Sequence, residues 1–132
     1  MTMVVDSGAS AHYVDDKLVK GIKQLMFCYQ EFDTPRTITT AGIHTLLATA
    51  TEKLQSKVTD SSDRTRKATL PITIVPGIGR DLLSSGAAQS KGVTTITSDN
   101  ARLETGNINF PLRRDGQPVS YTHLTLPTNR EV

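Results

Sequence analysis

Apolar positions along the chain fall mainly into short runs and alternations that are typical of β-strands. Val4-Val5 stops at Asp6-Ser7-Gly8, which predicts a strand that enters a turn. Residues 37–58 are rich in Thr, Ile, Leu, Val and Ala with rough alternation, and they predict a β-hairpin with its tip near Gly42. The run 70–75 is the clearest strand candidate of the chain.

Helical spacing is confined to two short segments. Residues 15–26 predict a short helical or irregular stretch that is interrupted at Gly21. The segment from Asp81 to Lys91 predicts a short helix, because a carboxylate near a helix N-terminus is favoured by the unpaired N–H groups there. Further predictions are a break at Thr34-Pro35, a turn over 59–64, a strand over 93–97 and a last hairpin around Gly106-Asn107.

These elements together predict an all-β domain, a small closed or partly closed barrel with one short helix near its C-terminal end. We expect residues 1–113 to form this domain and residues 114–132 to be a disordered or non-native tail. The end of the chain, 117–132, has weak patterning and resembles a run that recurs in unrelated translated fragments through cloning or sequencing adapters.

Composition narrows the classes of function. The net charge of +2, from 15 basic and 13 acidic residues, argues against direct nucleic-acid binding. No apolar run approaches the roughly 20 residues of a membrane-spanning helix. The single cysteine, Cys28, excludes an intrachain disulfide and a Cys-based zinc site, and we expect it to be a small buried apolar residue. The N-terminus lacks the pattern of a secretory signal, which favours an intracellular, cytoplasmic location.

The sequence Asp6-Ser7-Gly8-Ala9 carries the clearest candidate chemistry. An aspartate is able to act as general acid or base, and a serine hydroxyl fixes a turn by local hydrogen bonds. Gly8 permits a tight turn and the close approach of a substrate backbone, and the small Ala9 keeps the site open. Asp-Ser-Gly is also a common surface turn, so this motif alone leaves a purely structural role open.

A second segment, residues 74–83, consists of a strand, two glycines and a predicted helix start. It lacks the Gly-Lys-Ser/Thr of a phosphate loop and the glycine spacing of a dinucleotide site. The run from Asp6 to His12 resembles the D-S-G-A-S-x-H signature of copia-type retrotransposon Gag-Pol polyproteins. The run from Val75 to Ser84 resembles their V-P-G-x-x-x-N/D-L-L-S segment, and the resemblance covers residues 4 to 112.

The resemblance implies a retropepsin-like acid-protease barrel and an aspartic endopeptidase that cleaves a polyprotein, in the cytoplasm or within virus-like particles. Such a site needs two carboxylates that share a proton. The chain holds a single Asp-Ser/Thr-Gly, so a symmetric homodimer is implied in which each copy contributes Asp6. Ser7 is then expected to brace the two loops, and Gly8 to line the substrate backbone. Neither a cofactor nor a metal is implied.

The same resemblance assigns supporting roles. The hairpin over 36–49 is implied to be a flap whose tip, Ala41-Gly42-Ile43, contacts substrate together with Ala9; an ordinary hairpin is the alternative. Gly79 is implied to pack behind the catalytic loop, with Arg80 and Asp81 in support. Ser10 stands where related viral enzymes have an aspartate, so Asp15 or Asp16 is a candidate partner for Arg80. We expect His12 to be a hydrogen-bonding residue and not a metal ligand.

A second function remains open on the sequence alone. Five residues precede Asp6, whereas proteases of this type have a further N-terminal strand, so we expect the chain to be a fragment of a longer polyprotein. The alternative is therefore a catalytically silent β-barrel that serves as a structural or peptide-binding segment of that polyprotein.

Overall fold

The computed structural model describes residues 2–21, 23–39, 45–96, 100–114 and 122–125 of the chain. Most of these residues lie in strands, which confirms the all-β prediction. The strands are β1 Thr2–Asp6, β2 His12–Val14, β3 Met26–Thr39, β4 Thr45–Thr59, β5 Thr65–Ile74, β6 Asp81–Ser84, β7 Thr94–Ile96, β8 Arg102–Thr105, β9 Ile108–Pro111, β10 Arg113–Arg114 and β11 Thr122–Thr125. The helices are α1 Asp16–Lys20, a 3-10 turn Lys23–Leu25 and α2 Ser85–Ser90.

The described strands form two sheets. The larger has the order β10-β11-β1-β6-β2-β5-β4-β3, and β7-β8-β9 form the smaller. Over the described residues the larger sheet is open, because β10 and β3 at its ends each pair with one neighbour only. Over the described residues, this strand order therefore does not form the closed barrel that the fold prediction included.

Strand β6 lies between β1 and β2, and this arrangement positions the Asp6 loop. β1 runs parallel to β6, with Asp6 opposite Ser84, and β2 runs antiparallel to β6, with Tyr13 opposite Leu82. The loop 7–11 connects β1 to β2 and therefore passes over the end of β6, where α2 begins. β2 also pairs with β5 in parallel, from His12 opposite Ile72 onward.

The predicted hairpin is formed by β3 and β4, which pair antiparallel as far as Thr39 opposite Thr45. Its predicted tip at Ala41-Gly42-Ile43 lies outside the described residues. The expected break at Thr34-Pro35 is wrong, since both residues lie inside β3. They lie at a shift in register, because β3 advances five residues, from Glu31 to Arg36, while β4 advances only two. An edge strand tolerates a proline at such a bulge because no second neighbour needs its N–H.

Cys28 is exposed, and the expectation that it is buried is wrong. It lies at the other register shift of β3, between Phe27 and Gln30, and has φ 57°. A bulge on an edge strand turns the residue away from the core, and the sequence around Cys28 carries no glycine or proline that signals the bulge.

The predicted helix over 81–91 begins later than expected. Residues 81–84 form β6, and α2 starts at Ser85. The N-cap is Ser84 and not Asp81, because the Ser84 Oγ accepts a hydrogen bond of 3.0 Å from the Ala87 N–H. Residues 81–84 form a strand because they pair in parallel with β1. A local sequence pattern does not reveal this pairing.

The core consists of two clusters of buried side chains. The main core includes Met3, Val14, Leu54, Ile72 and Leu83, all at most 2% exposed. The second cluster consists of buried Tyr13, Ala48 and Val75, against which half-buried residues of the Asp6 loop, the β3–β4 hairpin and the turn after β5 pack. This second cluster therefore lies beneath the candidate site.

Part of the segment 114–132, which we expect to be a tail, lies in strands. β10 ends at Arg114, and β11 pairs antiparallel with β1, with Thr122 opposite Val5. β11 is able to pair with β1 because β6 occupies only the other side of β1. The weak patterning of 117–132 does not predict this strand. The remainder of the segment lies outside the described residues. In the described part of the chain, the helices are too short or too polar to cross a membrane.

Candidate functional site

Asp6 ends β1 and begins the tight turn that sequence analysis singled out. Its Oδ1 accepts a hydrogen bond of 2.8 Å from the Gly8 backbone N–H. A Cβ on Gly8 would lie 3.3 Å from this same oxygen, so a side chain here would crowd the carboxylate. Asp6 is half-buried, whereas Ser7 and Gly8 are exposed. The turn therefore holds the Asp6 carboxylate by a local contact at the protein surface.

A cavity of about 280 Å³, which we call the Asp6 pocket, opens between this loop and the β3–β4 hairpin. Asp6, Gly8 and Ala9 form its loop side, and the end of β3, residues 37–39, forms the opposite side. The structure thus brings together the predicted catalytic aspartate, the predicted substrate-binding Ala9 and the arm of the predicted flap.

The floor of the Asp6 pocket is mainly apolar. Ile78 and Leu82 line it, together with Tyr13 from the second cluster. The Tyr13 Oη lies 2.6 Å from the Ser10 Oγ, which fixes the phenol against the loop. Among the described residues that line the pocket, Asp6 provides the one carboxylate.

Ser84 ties the loop to the sheet and to α2. It is fully buried, and its Oγ donates a hydrogen bond of 2.7 Å to the Ala9 carbonyl while capping α2. Its backbone N–H donates to the His12 Nδ1 at 2.9 Å. Ser84 therefore holds the Asp6 loop at Ala9 and the start of β2 at His12. Sequence reasoning gave it no role, although a serine before Ser-Gly-Ala-Ala is a possible cap signal.

His12 is a buried hydrogen-bond acceptor. Burial lowers the pKa of its imidazole, which favours the neutral ring. Because Nδ1 accepts the Ser84 N–H, the proton of the neutral ring is on Nε2. The prediction that His12 is a hydrogen-bonding residue is confirmed. Within the described ranges, His, Cys, Asp and Glu side chains form no group of three able to hold a metal ion.

Two buried carboxyl groups, Asp15 and Asp81, meet where β2 ends and β6 begins. The Asp15 backbone N–H donates to the Asp81 Oδ1 at 3.2 Å. The Asp15 carboxylate accepts hydrogen bonds from the backbone N–H groups of Lys17 at 3.0 Å and Gly79 at 2.8 Å, and both lower its pKa. Burial raises the pKa of Asp81 to about 6, and the Asp15 charge adds to the shift. Between the lowered pKa of Asp15 and about pH 6, Asp15 carries the charge and Asp81 the proton.

The predicted supporting residues are placed differently from the expectation. Gly79 is exposed with φ 80°, and a Cβ there would meet nothing within 4 Å, so it does not pack behind the Asp6 loop. The positive φ explains why a glycine stands here, and in this conformation the Gly79 N–H donates a hydrogen bond to the Asp15 carboxylate. Asp81 lies three positions before Ser84 in β6, roughly 10 Å along the strand. The ion pair predicted for the exposed Arg80 stays a prediction.

Substituting Asp81 with Asn is expected to remove a pH dependence of stability. The pKa of Asp81 is about 6 in the fold and 3.8 in its reference state, so the folded state holds the proton more tightly. This stabilisation is complete below about pH 4, declines as the pH rises and is lost above about pH 6. D81N, whose amide oxygen still accepts from Asp15, is expected to exceed wild-type stability at pH 7 by ~1–2 kcal/mol, after a discount for solvent screening.

Urea unfolding of wild type and D81N between pH 4 and pH 7.5 measures this difference. Asp63→Asn is the matched control, because Asp63 is exposed in the turn between β4 and β5. Wild-type and D81N stabilities that stay a constant distance apart over this range would contradict the assignment.

Comparison with known proteins finds no match of this chain to a family model, to a curated protein or to a solved structure. The evidence that bears on function is therefore the geometry of the Asp6 pocket and the motifs that form it.

Proposed function

We propose that this chain is one half of a retropepsin-like aspartic endopeptidase of a copia-type Gag-Pol polyprotein, completed by a second copy. The observation that carries the proposal is that Asp6 lines a pocket of about 280 Å³ together with residues 37–39, the arm of a hairpin. A peptide lying between loop and hairpin meets the carboxylate from one side and a lid from the other.

The chemistry requires a second carboxyl group. One Asp6, ionised, accepts a proton from water as the oxygen attacks the peptide carbonyl carbon, and the other, protonated, donates to the carbonyl oxygen. As the tetrahedral intermediate collapses and the C–N bond breaks, the Asp6 that took the proton from water donates it to the leaving nitrogen, and the other Asp6 takes a proton back from a hydroxyl of the intermediate, which leaves the new carboxylic acid. Since Asp6 is the one carboxylate among the described residues lining its pocket, the second carboxyl comes from another copy.

Several local features support this role. The Gly8 N–H fixes one Asp6 oxygen at 2.8 Å, and the exposed Ser7 hydroxyl is available to a facing loop. Ile78 and Leu82 provide apolar walls for substrate side chains. We further propose that dimer formation completes the retropepsin-like arrangement, since β10 and β3 leave the sheet open over the described residues.

Peptide hydrolysis measured against protein concentration tests the proposal. The full chain is incubated with a mixed peptide library, and products are identified by mass spectrometry. A two-chain site predicts that activity per mole rises with concentration and that a pepstatin-type inhibitor, which carries a hydroxyl in place of the tetrahedral centre, blocks it. Folded protein that cleaves nothing at any concentration would contradict the proposal and favour the catalytically silent β-domain.

A further inference from the structure

One edge of β5 is open along most of its length. β4 pairs with one side of β5 throughout, from Thr65 to Ile74. On the other side, β2 pairs only with residues 72–74. Among the described residues no strand lies along the remaining outer edge, 65–71, so the backbone groups there have no ladder partner.

The direction of these groups follows from one hydrogen bond. The Val75 N–H donates to the Val14 carbonyl at 2.9 Å, so Val75 faces the β2 side. Backbone groups of alternate residues point the same way along a strand, which places Pro71, Thr69 and Lys67 on the open side. Pro71 has no N–H to lose there, in keeping with an unpaired position. Thr69 and Lys67 each present an N–H and a carbonyl to an incoming strand.

Burial along β5 changes where the edge becomes open. Ala68, Leu70, Ile72 and Ile74 point to the same face of the sheet. Ile72 is 1% and Ile74 6% exposed, where β2 pairs with β5, whereas Ala68 and Leu70 are only half-buried. The apolar face of β5 is therefore less buried where the pairing with β2 ends.

A cavity of about 280 Å³, the β5-edge cavity, lies under this open segment. Ala68, Leu70, Val93 and Phe110 line it, together with Leu83 of the main core. The described residues that line this cavity include no carboxylate. Apolar side chains of an added strand, which project from one face at every second residue, fit such a cavity.

The charge around the cavity is positive. Lys67 is exposed directly opposite exposed Lys57 in the β4–β5 pair, and like charges in this position repel. Lys91 lines the cavity on the side of α2. Arg66 is already paired with Asp60 at 3.0 Å. Acidic side chains on the face of an added strand that points away from the cavity would meet the exposed Lys67 ammonium group.

We propose that an extended peptide segment, in which apolar residues alternate with acidic ones, binds as an added strand along residues 65–71 and inserts its apolar side chains into the β5-edge cavity. This site is separate from the Asp6 pocket and does not depend on the proposed peptidase activity. The bound strand pairs with the Thr69 and Lys67 backbone, and its acidic side chains, on the face away from the cavity, approach Lys67.

Fluorescence anisotropy with a labelled peptide of alternating Val and Glu tests the proposal. The full chain carries Asp6→Asn so that cleavage does not consume the probe. Thr69→Pro removes an outward N–H, and Lys67→Glu reverses a charge; each is expected to weaken binding roughly tenfold, the effect of one hydrogen bond or ion pair. Lys20→Glu on α1, which is exposed and lies away from this edge, is the matched control and should leave binding unchanged.

Amide hydrogen exchange provides a readout that needs no β5 variant. The Thr69 and Lys67 amides are expected to exchange rapidly in the free protein and to become protected when the peptide is added. Equal binding of a peptide with the same composition but grouped Val and Glu residues, or no protection of these amides at saturation, would overturn the proposal. Self-association of the free chain that Thr69→Pro abolishes would also overturn it and assign the edge to a second copy.

Discussion

Replacing Asp6 with Asn is expected to lower peptide hydrolysis by roughly 10³-fold or more, because the variant loses the group that takes the proton from water. The fold is expected to survive. The Asn Oδ1 is able to accept the Gly8 N–H as the Asp6 oxygen does at 2.8 Å, so the turn keeps its hydrogen bond. The free energy of unfolding should therefore change by no more than ~0.5 kcal/mol.

The control for this substitution is Asp63→Asn, an identical change of side chain in the exposed turn between β4 and β5. Asp63 has φ 60°, a conformation that asparagine adopts readily, so the control variant should fold. Initial rates of hydrolysis and urea unfolding are measured on all three proteins. Near-wild-type activity in D6N would rule out Asp6 as the reacting carboxylate.

Replacing Ser84 with Ala is expected to destabilise the fold by ~2–3 kcal/mol. Loss of the cap of α2 costs about 1 kcal/mol. Loss of the donor to the Ala9 carbonyl leaves that oxygen without its 2.7 Å partner and adds about 1–2 kcal/mol. Since the same hydroxyl anchors the Asp6 loop, we also expect lower peptidase activity in the folded fraction.

Ser90→Ala in the same helix is the matched control. The Ser90 Oγ also donates a hydrogen bond of 2.7 Å, to the Ala87 carbonyl, but Ser90 is exposed. Water replaces the lost partner there, so its effect should stay within ~0.5 kcal/mol. Urea unfolding of the two variants measures the difference, and equal destabilisation would contradict the bridging role of Ser84.

Local patterns predicted the parts of the fold that depend on local interactions. The alternation in 37–58 predicted the β3–β4 hairpin, and Gly106-Asn107 predicted the turn between β8 and β9. The sequence predicts a helix from Asp81 onward, but residues 81–84 pair with β1, which lies more than 70 residues earlier in the chain. A single sequence does not reveal such long-range pairing, and the start of α2 was misplaced for this reason.

The candidate site shows the same division. The Asp6 turn is formed by a contact between residues two apart, so its motif was sufficient to find it. The Ser84–His12 and Asp15–Asp81 contacts join residues 72 and 66 positions apart, and their geometry required the structure. The family resemblance implies that Gly79 packs behind the catalytic loop, whereas its positive φ is what requires a glycine. Sequence alone does not distinguish a glycine needed for close packing from one needed for a positive φ.

The central claim, that two copies of Asp6 form one site, is tested most directly by mixing wild type with D6N in equal amounts and allowing the subunits to exchange. If both carboxylates are needed, only dimers of two wild-type chains are active, and total activity falls to about one quarter of that of the same amount of wild type. If one chain suffices, activity falls only to about one half, the dilution of active chains, and that result would contradict the account.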